Sequence, residues 1–127
     1  PEARVDTDDP KSPVNKDYYA NLKAQTWWDV ARRFRNTFNA VTKGMVYPVE
    51  DLISVSPDCP HVDRLIDELS TPRRDFDNAG RVKVESKKDL GKRKIASPNL
   101  ADAFVMANAP REKAAVAQIF LKSRQRT

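Results

Sequence analysis

The stretch Gly80–Ala107, GRVKVESKKDLGKRKIASPNLADAFVMA, decides how the rest of the chain is read. Arg81–Glu85 alternates charged and apolar residues with Val82 and Val84 on one face, which is the period of a half-buried strand. Ser86–Lys94 follows as a basic turn or short helix that carries Lys87, Lys88, Lys92, Arg93 and Lys94. Ser97 stands where a helix N-cap is expected, with Pro98 at the first helical position. The spacing then predicts a helix that buries Leu100, Ala103, Phe104 and Ala107. Asn99, Asp102 and Met106 fall on a neighbouring face at steps of three and four, so Asn99 and Asp102 project side by side near the helix N-terminus. One strand cannot satisfy its own backbone, and an isolated pair is marginal. Partners must come from Met45–Val55, or from sequence before Pro1 in a longer parent chain.

Upstream, residues 1–16 hold three prolines and few apolar side chains, the composition of an extended arm or linker. From Asp17 the pattern changes. Ala20, Ala24, Trp27, Ala31, Phe34, Phe38 and Val41 recur at steps of three or four and predict one long helix, capped by Asn15 or Asp17 and ended by Gly44. Trp27 and Trp28 are adjacent, so one of them packs at the edge of a neighbouring element; an aromatic platform for nucleic-acid bases is the alternative. Met45–Tyr47 reads as a brief extended piece, and Glu50–Val55 is either a helical turn or a strand. Pro60 opens a second helix with Val62, Leu65, Ile66 and Leu69 on one side, stopping before Pro72. Thr71–Gly80 reads as a polar loop. After Pro110 a last helix is expected from Arg111 to about Ser123, burying Val116, Ile119 and Phe120 ahead of a tail with Lys122, Arg124 and Arg126.

A length of 127 residues suits one domain with a real core. The net charge of +5 is uneven: Arg81–Lys94 carries seven basic residues against two acidic, and Arg111–Thr127 five against one. Such a distribution favours a polyanionic partner, nucleic acid ahead of a membrane. No apolar run is long enough to span a bilayer, and the polar start shows no signal peptide, so a cytosolic protein is expected. The single cysteine, Cys59, has no partner for a disulfide or a zinc site within the chain, and His61 has no second histidine. A chain that begins with Pro1 and lacks an initiator Met reads as a fragment or a processed product.

A carboxylate in a helix's first turn is ordinarily explained by the helix dipole. Asp102 has a further setting: small flanking residues on an apolar helix, preceded by a strand and a lysine-rich segment. Oxygen ligands on a rigid element suit Mg²⁺ or Mn²⁺, and nearby lysines suit phosphates. One Asp is not a complete site, because paired-metal phosphodiester hydrolysis needs several converging carboxylates.

The string Val84-Glu-Ser-Lys-Lys-Asp followed by Arg93-Lys-Ile-Ala-Ser-Pro-Asn-Leu-Ala-Asp-Ala-Phe resembles the end of the nuclease domain of phage terminase large subunits. The segment Asn21-Leu-Lys-Ala-Gln-Thr-Trp-Trp-Asp-Val resembles a helix of the same domain, most closely in Mu-like prophage terminases. The resemblance implies an α+β fold, the helix-rich C-terminal portion of an RNase H-like (RuvC-like) nuclease with a small or incomplete sheet. Residues 1–16 would be an arm, 17–110 the C-terminal part of the nuclease domain, and 111–127 a final helix and basic tail. Such terminases cut concatemeric phage DNA during packaging with an ATPase motor and a nuclease. The resemblance makes Asp102 a catalytic, metal-binding acid, and puts Asn99 where many relatives carry a second acid; an amide oxygen coordinates Mg²⁺ or Mn²⁺ without contributing charge. Lys87, Lys88, Lys92, Arg93 and Lys94 would line the path of double-stranded DNA. Portal and small terminase subunit are the implied protein partners, and the bacterial host cytoplasm the implied location. The family's other acids have no match between Pro1 and Asp17, and the chain has no G-x-x-x-x-G-K-[ST] phosphate loop. The chain alone is therefore expected to lack appreciable nuclease activity. The competing expectation is a non-catalytic DNA-binding or docking module in which Asp102 only serves the helix dipole.

Overall fold

The strand expected at Arg81–Glu85 finds its partner where the sequence suggests a loop. In the computed structural model, which describes residues 2–109, Arg74–Phe76 (β1) pairs antiparallel with Val82–Val84 (β2), with Arg74 opposite Val84 and Phe76 opposite Val82. Asp77 closes the hairpin: its Oδ1 accepts from the amides of Ala79 at 3.0 Å and Arg81 at 2.8 Å, and Gly80 takes the left-handed φ of 80° that the turn needs. The other edge of β2 is met by the chain at Tyr19 and Ala20, where Tyr19 forms a parallel bridge to Val82 and the Ala20 amide donates to the Val82 carbonyl at 2.8 Å. Met45–Val55, expected as a partner, does not pair with this strand.

That edge contact also explains why the long helix begins late. Asn15–Tyr18 (α1) is a single turn, Tyr19 is extended, and Leu22–Lys43 (α2) starts afresh with the Asn21 side chain accepting from the Ala24 amide at 2.8 Å. Neither Asn15 nor Asp17 caps it. Gly44 ends α2 in the left-handed region at φ 66°, as expected. Ala24, Thr26, Trp27 and Val30 are buried in its first half. The apolar stripe is uncovered in the second half, where Phe38 is 62% exposed and Val41 80%. Trp28 packs beside the hairpin, donating its indole N–H to the Lys83 carbonyl at 3.4 Å with the Arg74 guanidinium over its ring.

After a 3-10 turn at Val49–Asp51, the chain runs back along α2 without forming a strand. Thr37 holds it there by donating its hydroxyl to the Ile53 carbonyl at 2.7 Å and accepting from the Ile53 amide at 3.0 Å. Val62–Ser70 (α3) starts two residues later than the Pro60 start expected, with His61 at the boundary in a left-handed conformation. Leu65 is buried, Leu69 is half-buried and Ile66 is exposed. Lys87–Lys92 (α4) is capped by Ser86, and Asn99–Ala107 (α5) packs on α3 and α2. Trp27, Val30, Leu65, Ala101 and Val105 form the core.

Two details of α5 differ from expectation. Its buried face is Ala101 and Val105, flanked by Leu100 and Phe104, while Ala103 and Ala107 are exposed. Its start is not capped by Ser97; the Leu100 amide instead donates across to Glu68 Oε1 of α3 at 3.0 Å. The N-terminal arm closes on itself, with Arg4 bridged to Val14 and the Val5 amide donating to the Pro13 carbonyl at 2.9 Å. Among the described residues no helix is long and apolar enough to cross a membrane. The helix and basic tail expected over 111–127 lie outside the described residues.

Candidate functional site

Asp102 occupies the first turn of α5, and α5 is held in place by the Glu68 cap and by Ala101 and Val105 in the core. Its carboxylate turns toward the segment that follows β2, not away from it. Lys87, the first residue of α4, places Nζ 3.5 Å from Oδ2, and Lys23, in the first turn of α2, places Nζ 3.6 Å from Oδ1. The three side chains come from three different helices. They line a cavity of about 280 Å³ with Trp27, Val105 and Met106.

The geometry here is incomplete in a specific way. Asp102 Oδ1 is buried and has no hydrogen-bond partner among the described residues. Both lysine contacts are longer than a charge-assisted hydrogen bond, and the side chains are 42% (Lys23) and 57% (Lys87) exposed against 21% for Asp102. Pairs of this kind contribute about 0–1 kcal/mol each, so they hold the carboxylate loosely. An unsatisfied carboxylate oxygen at the wall of a cavity is the right donor for a hard divalent cation. It is one donor only, for no group of three or more His, Cys, Asp or Glu side chains able to hold a metal occurs among the described residues. Asn99, the other expected ligand, is exposed, and its Oδ1 accepts from the Ser97 hydroxyl at 3.1 Å.

The basic residues of segment 86–94 divide sharply. Lys87 faces Asp102; Lys88 and Lys94 are exposed and make no ion pair among the described residues; Lys92 lies 3.7 Å from Asp89 and is well exposed. Arg93 has a different task. Its Nε donates to Glu85 Oε2 at 2.9 Å, its Nη2 donates to Glu85 Oε1 and to the Thr71 carbonyl, and Glu85 also accepts from the Arg73 amide at 3.2 Å. The fork from Arg93, followed by the Arg73 amide, holds the Glu85 carboxyl below its ordinary range. Arg93 thus ties the ends of α3, β2 and α4 together, and its guanidinium is already engaged.

Lys23 is the site residue that helical periodicity does not reveal, since its stripe position marks it only as polar. One local signal exists. A cation in the first turn of a helix opposes the macrodipole, and α2 has Lys23 there and no acid.

A small two-stranded sheet carrying helices makes the chain an α+β fold, and that fold matches solved nuclease (RNase H-like) domains of terminase large subunits. The chain is similar to the nuclease domain of the large terminase subunit gp2 of bacterial virus Sf6, at 29% identity and a TM-score of 0.73, covering 87% of this chain and 51% of that one. A lysine-to-alanine mutant of that domain solved with manganese is similar at 28% identity and a TM-score of 0.71, covering 87% and 51%. The mutant solved with calcium gives 28% and 0.71, covering 87% and 50%. The chain therefore spans about half the length of the solved domains it matches. No protein-family model matches the chain, and no curated protein does.

Proposed function

We propose that this chain is the C-terminal part of a terminase nuclease domain of the Mu-like prophage type, with residues 17–110 forming one wall of a metal-dependent endonuclease centre that cuts phage DNA for packaging. The observation that carries this reading is the buried Oδ1 of Asp102, which accepts no hydrogen bond among the described residues and lies at a lysine-flanked cavity, in a fold similar to nuclease domains solved with manganese and calcium. Asp102 is the chain's metal ligand, and other carboxylates come from outside the described residues. Asn99 is an auxiliary donor that must first release Ser97. When bound, Mg²⁺ or Mn²⁺ supplies Lewis acidity and a more acidic bound water. The protein's own part is positional: α5 presents the carboxylate from a rigid core, and Trp27 and Val105 keep one side of the cavity apolar. Lys87, Lys88, Lys92 and Lys94 contact the phosphates of double-stranded DNA without reading sequence. Arg93 supports that surface from behind. The work belongs in the bacterial host cytoplasm, beside the portal and the small terminase subunit.

The test is a Mn²⁺ titration of the isotopically labelled chain followed by NMR. Paramagnetic broadening should centre on Asp102 and vanish in Asp102→Asn. Broadening that ignores this substitution would remove Asp102 from the site. With plasmid DNA and Mg²⁺ or Mn²⁺, the chain alone should cut little; strong cutting abolished by Asp102→Ala would mean that the chain already holds a full set of acids. A second reading, a non-catalytic DNA-binding module, is favoured by the two lysines already facing Asp102. It predicts salt-dependent DNA binding and no Mn²⁺ effect at Asp102.

A further inference from the structure

We infer that Lys23 is a DNA-phosphate contact of this centre, forming with Lys87 a two-armed clamp whose arms are held by Asp102 until a cation or a phosphate displaces them. The inference rests on the nuclease-wall reading above and adds to it a residue from another part of the chain. Lys23 comes from α2 and Lys87 from α4, yet both ammonium groups stop at nearly the same distance from one carboxylate, 3.6 and 3.5 Å, on its two different oxygens. Asp102 alone cannot neutralise both, so the trio carries a net positive charge beside a cavity of about 280 Å³. The Lys23 ammonium also lies 6.0 Å from the Trp27 ring centroid, which supports its stem over the apolar wall. Both arms are partly exposed, so each can turn from the carboxylate to a phosphate entering the cavity without unfolding anything. A cation in the first turn of α2 costs helix stability, a cost consistent with a role outside the helix.

The clamp predicts a specific coupling. In the full chain, Asp102→Asn releases both arms and should tighten binding to a fluorescent duplex about tenfold at low salt. Adding Lys23→Gln should cancel most of that gain and reduce the salt slope by about 0.9, the value for one phosphate contact. Lys23→Arg in the same background should keep it. The inference is overturned if Lys23→Gln leaves affinity and slope unchanged while Lys87→Gln lowers both. If both substitutions are silent on a chain that still binds DNA, the nuclease-wall reading falls with it. Acetylation mapped by mass spectrometry on the unaltered chain tests the same point without any variant that must fold. Duplex DNA should protect Lys23 and Lys87 and leave Lys43, about 30 Å away along α2, reactive; a Lys23 that reacts equally with and without DNA is not a phosphate contact.

Discussion

Glu85 accepts three hydrogen bonds, two from Arg93 and one from the Arg73 amide, whereas Asp102 keeps an oxygen that accepts none and has two ammonium groups at ion-pair distance. Both acids stand beside the basic segment 86–94, and both belong to elements that pack on the same core. The difference lies in how completely each charge is answered. A buried carboxylate met by a bidentate guanidinium is finished as a structural joint. One met loosely by two partly exposed lysines, with an oxygen that accepts no hydrogen bond, is open to another ligand.

The largest effect should come from breaking the finished joint. Arg93→Leu leaves the Glu85 carboxylate enclosed with only the Arg73 amide, and removing one partner of an enclosed pair is more damaging than replacing both. Thermal melting should show Arg93→Leu well below the unaltered chain, and Glu85→Leu with Arg93→Leu recovering much of the loss. A double variant as unstable as the single one would mean that packing, not charge, sets the cost. Acid should act on the same joint. The folded Glu85 carboxyl titrates below its reference value of 4.5, so its contribution is fully present above that pH and is lost as pH falls through the folded value. Asp77, lowered mainly by the Arg81 amide, acts in the same direction. Glu85→Gln should therefore flatten, without abolishing, the fall in urea midpoint on acidification.

How far the sequence discloses this contrast depends on whether a residue's fate is local. Alternation at Val82 and Val84, the basic run and the Gly44 stop are local patterns, and the structure holds a strand, a short helix and a helix end at those places. Arg74–Phe76 was hidden because it is an edge strand of three residues whose Phe76 is exposed, so it lacks the apolar alternation that marks a strand. The late start of α2 was hidden because it depends on Tyr19 and Ala20 reaching Val82, more than sixty residues away. In α5 the run Leu100–Ala107 is apolar on nearly every side, so periodicity does not select Ala101 and Val105 over Ala103 and Ala107. Arg93 looks like any neighbour in its basic run until Glu85 is seen enclosed behind it. Lys23 joins Asp102 only through the tertiary packing of α2 against α5.

An intermediate effect should come from Glu68, the acid that links the two extremes. Its Oε1 caps α5 at the Leu100 amide, while Oε2 accepts from Arg64 Nε at 2.8 Å. Glu68→Ala should cost about 1 kcal/mol, the usual value of a lost N-terminal cap. Because the cap fixes where α5 begins, amide exchange should rise in its first turn, around Asp102. Stability lost without faster exchange there would confine Glu68 to its pair with Arg64.

The smallest effect on stability should come from the open acid. Asp102→Asn removes a charge whose two partners are 3.5 and 3.6 Å away and substantially exposed, and it breaks no hydrogen bond at Oδ1, because none is made there. The loss of weak attraction is offset in part by an amide that needs less solvation than a carboxylate in a cavity walled by Trp27 and Val105. The unfolding free energy from urea titration should therefore change by no more than about 0.5 kcal/mol, as for an ordinary partly exposed position. Such a result, beside a large loss at Arg93, separates an acid kept for the fold from one that the fold does not need. If Asp102→Asn instead destabilised the chain as much as Arg93→Leu, Asp102 would be a second structural joint, and the case for a ligand at Oδ1 would lose its physical basis.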